Sequence, residues 1–277
     1  MIAVLDACTI INLILTVNDD RYIKYTEHAF KTVAIVDKVY SEVKENRKDN
    51  GVDDDFKEEY ERICFSYLNR FVHPSPNEDL INFVQKVHNY NKRNGELLSV
   101  SHALSLSRQY DKKDNFLSVY FVTDDDPATE EFRSFYELNN IGQILSSIDL
   151  LMMYALKGWI TREEVFSYCR ALKFLYNRPS AILAKEVKRL IEKNEIVLAK
   201  EQIVASSIVS LINELDENIG EALSRLMERD EAKKLLSRHG NLKKMIDDVI
   251  KSSLREKIPL INAKINQFKN VWLFEYA

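Results

Sequence analysis

The first half of the chain alternates short apolar runs with stretches of helical periodicity, and acids stand directly after two of the runs. Met1-Ile2-Ala3-Val4-Leu5 is closed by Asp6, and Val119-Tyr120-Phe121-Val122-Thr123 by Asp124-Asp125-Asp126. Runs this short, apolar throughout and bounded by polar residues read as strands buried on both faces, the kind that build parallel sheets. Thr32 to Val36 is a further β-branched run, while Arg70 to His73, ended by Pro74 and Pro76, and Ile141 to Ile144 are weaker ones. Between them lie helical patterns: Ile10 to Leu15, then Val39, Glu42 and Val43 behind the cap Asp37, then Leu80, Phe83, Val84 and Val87, then Leu97, Val100 and Leu104 behind Gly95-Glu96. Alternation of this kind implies a parallel sheet with helices on both faces.

After Ser146 the pattern changes. Residues 146–157, 161–175, 180–198, 201–218, 219–238, 241–254 and 257–269 all read as helices, punctuated by Gly158, Pro179, Gly220, Gly240 and Pro259, with a strand signal returning only at Val271 to Phe274. The expected architecture is an α/β domain over 1–175 followed by an all-helical domain over 176–277. Lys44 to Tyr60 is highly charged, contains the turn signal Asn50-Gly51, and reads as a solvated helix-loop-helix excursion. Its Asp53-Asp54-Asp55 run reads as a helix-start charge cluster favoured by the macrodipole. With only 6 Gly and 5 Pro, long flexible linkers are not expected. No repeat of fixed period is present.

Composition excludes several classes. Hydrophobic content of 45% with 30% charged residues fits a soluble globular protein. No apolar run approaches the length of a bilayer span. The opening shows neither a basic segment nor a signal-cleavage pattern, so a cytoplasmic protein is expected. Cys8, Cys64 and Cys169 are too widely spaced for a metal motif or a disulfide framework, and Cys8 reads as a small buried residue. His73 and His102 read as surface or packing residues, because neither has a ligand partner at metal spacing in the sequence. There is no Gly-rich phosphate loop and no nucleophile elbow. The net charge of -4 does not single out a nucleic-acid binder. The acids, however, are in surplus before residue 176 and the bases slightly so after it, with Lys233-Lys234, Arg238-His239 and Lys243-Lys244 clustered around Gly240. That cluster reads as a solvated helix face that is also able to grip phosphates.

Acids just past the ends of parallel strands stand where open α/β sheets build their sites. Several carboxylates in one cleft repel each other and become tolerable around a hard divalent cation. Asp6, Glu42, Glu96 and Asp124-Asp125-Asp126 therefore suggest a magnesium or manganese centre and chemistry on phosphates.

The chain resembles PIN-domain nucleases. The resemblance is carried by Val4-Leu5-Asp6-Ala7-Cys8-Thr9-Ile10-Ile11-Asn12-Leu13, by Val39-Tyr40-Ser41-Glu42-Val43, by Gly95-Glu96 leading into Ala103-Leu104, and by Phe121-Val122-Thr123-Asp124-Asp125-Asp126. Ile141-Gly142-Gln143-Ile144-Leu145, Leu150-Leu151, Ala155 and Lys157-Gly158-Trp159-Ile160 are similar to the tail of one prokaryotic branch. In this light Asp6 is the expected central metal ligand, with Glu96 and Asp125 completing the set and Asp124 replacing or assisting Asp125. Asp126 is the expected helix cap before Pro127. Glu42 is expected to orient a water or serve a second ion, and Thr9, Asn12 and Thr123 to hold carboxylates or phosphate oxygens.

The resemblance implies metal-assisted hydrolysis of phosphodiester bonds in single-stranded or structured RNA, leaving a 5′ phosphate, in a toxin or a defence effector. An inhibitor protein or a second copy of the chain, bound through the helical domain, is the expected partner besides RNA, and a membrane is not. The competing expectation is a catalytically inactive PIN-like scaffold whose helical domain binds a protein.

Overall fold

The computed structural model describes residues 1–45, 56–90, 92–111, 118–214, 219–252 and 257–273. The Asn50-Gly51 turn and the Asp53-Asp54-Asp55 run lie outside them. The chain divides into two compact units, Met1–Val165 and Phe166–Ala277. The division falls within a helix, Arg162–Tyr176, whereas the pattern of the sequence placed it at 175.

The first unit runs β1 (Ile2–Leu5), α1 (Ala7–Leu15), α2 (Arg21–Ala29), β2 (Thr32–Val36), α3 (Asp37–Glu45), α4 (Lys57–Arg62), β3 (Val72–His73), α5 (Glu78–His88), α6 (Gly95–Asp111), β4 (Val119–Val122), α7 (Asp126–Leu138), β5 (Ile144–Leu145) and α8 (Ser147–Leu156). The strands form one sheet in the order β3-β2-β1-β4-β5. Every neighbouring pair is parallel. This is the α/β parallel sheet flanked by helices that the alternation implied. The apolar runs form strands because both of their faces are covered: all four residues of β1 are fully buried, as are Ala34, Ile35 and Val36 of β2.

The chain winds outward from β1 in both directions, to β2 and β3 on one side and to β4 and β5 on the other. The order therefore reverses between β1 and β4, the place in open α/β sheets where ligands bind outside the carboxyl ends of the strands. Their register pairs Leu5 with Val122. Asp6 and Thr123 thus leave the sheet side by side. On the far side of β4, Val119 and Phe121 donate backbone hydrogen bonds to Ile141 and Gln143 at 2.9 and 3.1 Å. Gly142 lies so close to β4 that a Cβ there would stand 2.1 Å from the Val119 carbonyl oxygen. Only glycine admits that approach.

The second unit continues α9 (Arg162–Tyr176) with α10 (Arg178–Glu192), α11 (Ala199–Glu214), α12 (Ile219–Met227), α13 (Asp230–Arg238), α14 (Gly240–Ser252) and α15 (Lys257–Leu273). No strand occurs among its described residues. Two local expectations change. Residues 219–238 form two helices, because the chain is extended at Arg229 before the acidic first turn of α13. Val271 to Leu273 continues α15 as helix, since an apolar run of this length carries no periodicity that separates strand from helix. The core gathers Leu183, Val187 and Leu190 of α10, Ile208 and Ile212 of α11, Leu223 of α12, Leu235 of α13, and Ile246 and Val249 of α14. Beside it Glu201, 2% exposed, pairs with Arg238 at 3.0 Å and ties α11 to α13. Among the described residues no helix is long and apolar enough to cross a membrane.

Candidate metal centre at the carboxyl edge of the sheet

Asp6 is placed by the sheet itself. Its backbone N–H continues the ladder to the Val122 carbonyl at 3.0 Å, and the residue is only 4% exposed. One carboxylate oxygen, Oδ2, accepts hydrogen bonds from Thr123 Oγ1 at 3.0 Å and from Cys8 Sγ at 2.9 Å. No lysine or arginine among the described residues forms an ion pair with it. Burial pushes the Asp6 carboxyl up to about 6, against the lowering effect of the bonds from Cys8, the Ala7 N–H and Thr123, and the charge of Glu96 pushes it further up. A buried carboxylate without a cationic partner is costly, and its own neighbour adds to the cost.

Glu96 stands in the first turn of α6. Its Oε2 accepts from the Tyr90 hydroxyl and from Asn94 Nδ2, each at 2.8 Å, and Asn94 also donates to the Tyr90 oxygen at 3.1 Å. Glu42, on α3, reaches the same helix start. It accepts the Gly95 N–H at 3.3 Å, and Lys38 Nζ lies 3.8 Å from it. A Cβ at Gly95 would stand 2.5 Å from Glu42 Oε2 and 2.8 Å from Val39 Cγ2, so the missing side chain is what lets Glu42 dock there. Burial raises the Glu42 carboxyl, the Gly95 N–H and Lys38 counter this, and the charge of Glu96 adds to the rise. Asp6, Glu96 and Glu42 are thus linked by mutual repulsion.

The three consecutive aspartates divide their roles differently from the expectation. Asp124 bridges two helices: its Oδ2 accepts from Asn12 Nδ2 of α1 at 2.7 Å and its Oδ1 from the Ser147 N–H of α8 at 2.8 Å. Asp125, not Asp126, is the cap of α7, accepting the Ala128 N–H at 3.3 Å. The backbone is extended at Asp125 and turns helical at Asp126, so Pro127 falls at the second helical position and the third amide, that of Ala128, donates to the Asp125 side chain. Asp126 is the first residue of the helix. The charge of Asp125 reaches the Tyr90 hydroxyl, which is pushed up to about 12 by burial and by its bond to Glu96.

Of the three expected holding residues, Asn12 and Thr123 do hold carboxylates, of Asp124 and Asp6. Thr9 does not. Its hydroxyl donates to the Val122 carbonyl at 3.1 Å and ties α1 to β4. Four contributors were not read from the sequence as such. Tyr90 and Asn94 grip Glu96, the Ser147 N–H grips Asp124, and Cys8 donates to Asp6 while accepting the Asp124 N–H at 3.3 Å. Burial, together with the charges of Asp6 and Asp124, holds the Cys8 thiol well above its ordinary range, so it stays protonated and serves as a donor. Two of them left a legible trace: Cys8 stands two residues after Asp6, and Asn94 precedes Gly95-Glu96 in what reads as a plain turn.

Among the described residues no three His, Cys, Asp or Glu side chains are already grouped so as to hold an ion. The donor chemistry nonetheless suits a hard cation: Asp6 is buried without a countercharge, and neither Glu96 Oε1 nor Asp125 Oδ2 accepts a hydrogen bond from the described residues. No protein-family model matches the chain. Neither a curated protein nor a solved structure matches it significantly.

Proposed function

We propose that the first unit is a metal-dependent endoribonuclease of the PIN type, acting on single-stranded or structured RNA. The observation that carries this reading is Asp6: a buried carboxylate at the switch point of a parallel sheet, without a cationic partner among the described residues and repelled by a second carboxylate. A hard divalent ion bound there would offset both negative charges. In this reading Asp6, Glu96 and Asp125 hold magnesium or manganese, with Asp124 assisting from its fixed position between α1 and α8. Bound there, the ion would lower the pKa of water and offset charge on the reacting phosphate. Thr123 and Cys8 keep the Asp6 carboxylate oriented, and Tyr90 and Asn94 do the same for Glu96. Glu42, docked on the first amide of α6, is assigned in this reading to orienting a water. The helical unit is assigned to positioning RNA or to binding a protein partner, and a toxin or defence effector is the context that suits the reading.

The test is cleavage of a labelled single-stranded RNA with magnesium or manganese, alongside Asp6→Asn and Glu96→Gln. Cleavage by the unaltered chain that both substitutions abolish is expected. Equal cleavage by all three proteins would refute the assignment. A single-stranded DNA of the same sequence tells RNA from general phosphodiesterase action, and growth arrest on expression tests the toxin context.

A second reading is favoured by one observation: the acids are not grouped to hold an ion, and both oxygens of Asp124 hold structural hydrogen bonds. In that reading the first unit is an inactive scaffold and the helical unit binds a protein. Calorimetric titration with manganese separates the two, because the scaffold takes up no ion.

A further inference from the structure

We propose that His73 and His102 form a second metal site, for a borderline divalent transition-metal ion such as zinc or copper(II), distinct from the carboxylate centre. Twenty-nine positions apart in the sequence, the two rings meet with centroids 5.2 Å apart and planes at 60°. Two imidazole nitrogens sharing one ion at ~2.0–2.1 Å place their ring centres roughly 5 Å apart, so the observed spacing suits a shared ion.

The hydrogen bonding points the same way. His102 lies on α6, is 8% exposed, and its Nε2 is enclosed without a hydrogen-bond partner. His73 ends β3, pairs with β2 through its backbone, and sets its half-buried ring against that of His102. Buried polar nitrogens nearly always have a partner, because leaving one unmade costs its full desolvation. Edge-on ring packing alone does not remove that cost, whereas a metal ion ligated by the lone pair does.

A countercharge is at hand. Asp37 follows β2, whose last residue Val36 is in register with His73. It is held by the Lys38 N–H at 2.7 Å and the Ser75 hydroxyl at 2.5 Å, and its charge acts on His102. Burial favours the neutral form of both rings, which is the ligating form. Nitrogen donors select zinc and copper, while magnesium and manganese prefer the oxygens around Asp6. No third ligating side chain is grouped with the pair among the described residues, so the protein supplies two nitrogens and water the remaining positions.

The full-length protein, stripped of metal, should be loaded with one equivalent of copper(II) and examined by pulsed electron paramagnetic resonance, with zinc affinity measured by calorimetry. Two coordinated imidazoles are expected in the unaltered chain. His73→Gln should remove the two-imidazole signature and weaken zinc binding roughly tenfold or more, whereas Asp6→Asn should leave the two-imidazole signature in place. The site is refuted by a copper spectrum without two imidazoles, by one that His73→Gln leaves intact, or by one that Asp6→Asn abolishes. The unaltered chain supplies the spectroscopic test by itself, so the proposal remains testable even where the variant folds poorly.

Discussion

Replacing Asp6 with asparagine should stabilise the metal-free protein at neutral pH, and the gain should fade on acidification. The folded-state carboxyl titrates near 6 against an ordinary value of 3.8, chiefly through burial. The folded protein therefore holds this proton more tightly than the unfolded chain. The stability the group contributes is present below 3.8 and is lost as the pH rises through about 6. At about 1.4 kcal/mol per pH unit, the full span corresponds to roughly 3 kcal/mol, an upper figure for the burden of the ionised carboxylate at pH 7.5. Asparagine has the same shape, carries no charge, and its amide oxygen accepts the bonds from Thr123 and Cys8. Its advantage should shrink by about 2 kcal/mol between pH 7.5 and 4.5.

The assay is urea unfolding of both proteins at the two pH values in the presence of a chelator, with midpoints compared at equal slope. Equal or lower stability of Asp6→Asn at pH 7.5, or a difference that does not change with pH, would refute the reasoning. Manganese gives the converse check. At about a hundredfold excess over its dissociation constant it should stabilise the unaltered chain by about 2.7 kcal/mol and leave Asp6→Asn unmoved.

Further substitutions probe the geometry of the first unit and an ion pair of the second. Gly95→Ala places a Cβ 2.5 Å from Glu42 Oε2, and should cost about 1–3 kcal/mol in chemical unfolding while weakening manganese binding. Asp125→Asn keeps a capping oxygen and removes a charge, so unfolding should be nearly unchanged while calorimetry shows weaker manganese binding. Asp125→Ala should also lose about 1 kcal/mol as the cap disappears. In the helical unit, Arg238→Met strands the buried Glu201 carboxylate and should cost roughly 1–3 kcal/mol. Adding Glu201→Gln should recover much of that in the same unfolding assay.

The strands β1, β2 and β4 and most helices were legible because each is specified locally, by an apolar run or by helical spacing. So was the placement of Asp6 directly after a strand and of Glu96 in a first helical turn. The roles of Asp124, Asp125 and Asp126 were not. The extended backbone at Asp125 decides which side chain caps α7, and three identical residues in a row carry no mark of it. Thr9 and Asn12 illustrate the same limit: three residues apart on α1, both polar, they reach a strand carbonyl and a carboxylate respectively. The helical state of Val271 to Leu273 was hidden because a short apolar pattern suits either structure, and the break at Arg229 because the charged residues around it carry no Gly or Pro to mark it.

Local chemistry in the sequence was sufficient to determine the parallel α/β class of the first unit, the helical character of the second, and the presence of acids at strand and helix ends. Only the tertiary structure decided that β1 and β4 lie side by side, that the charge of Glu96 acts on Asp6, that Glu42 rests on the start of α6, and that His73 meets His102. Those outcomes depend on strand order and register between segments far apart in the chain, where no residue's own propensity specifies its neighbour. The burial that raises the Asp6 carboxyl is a property of that packing and not of the aspartate.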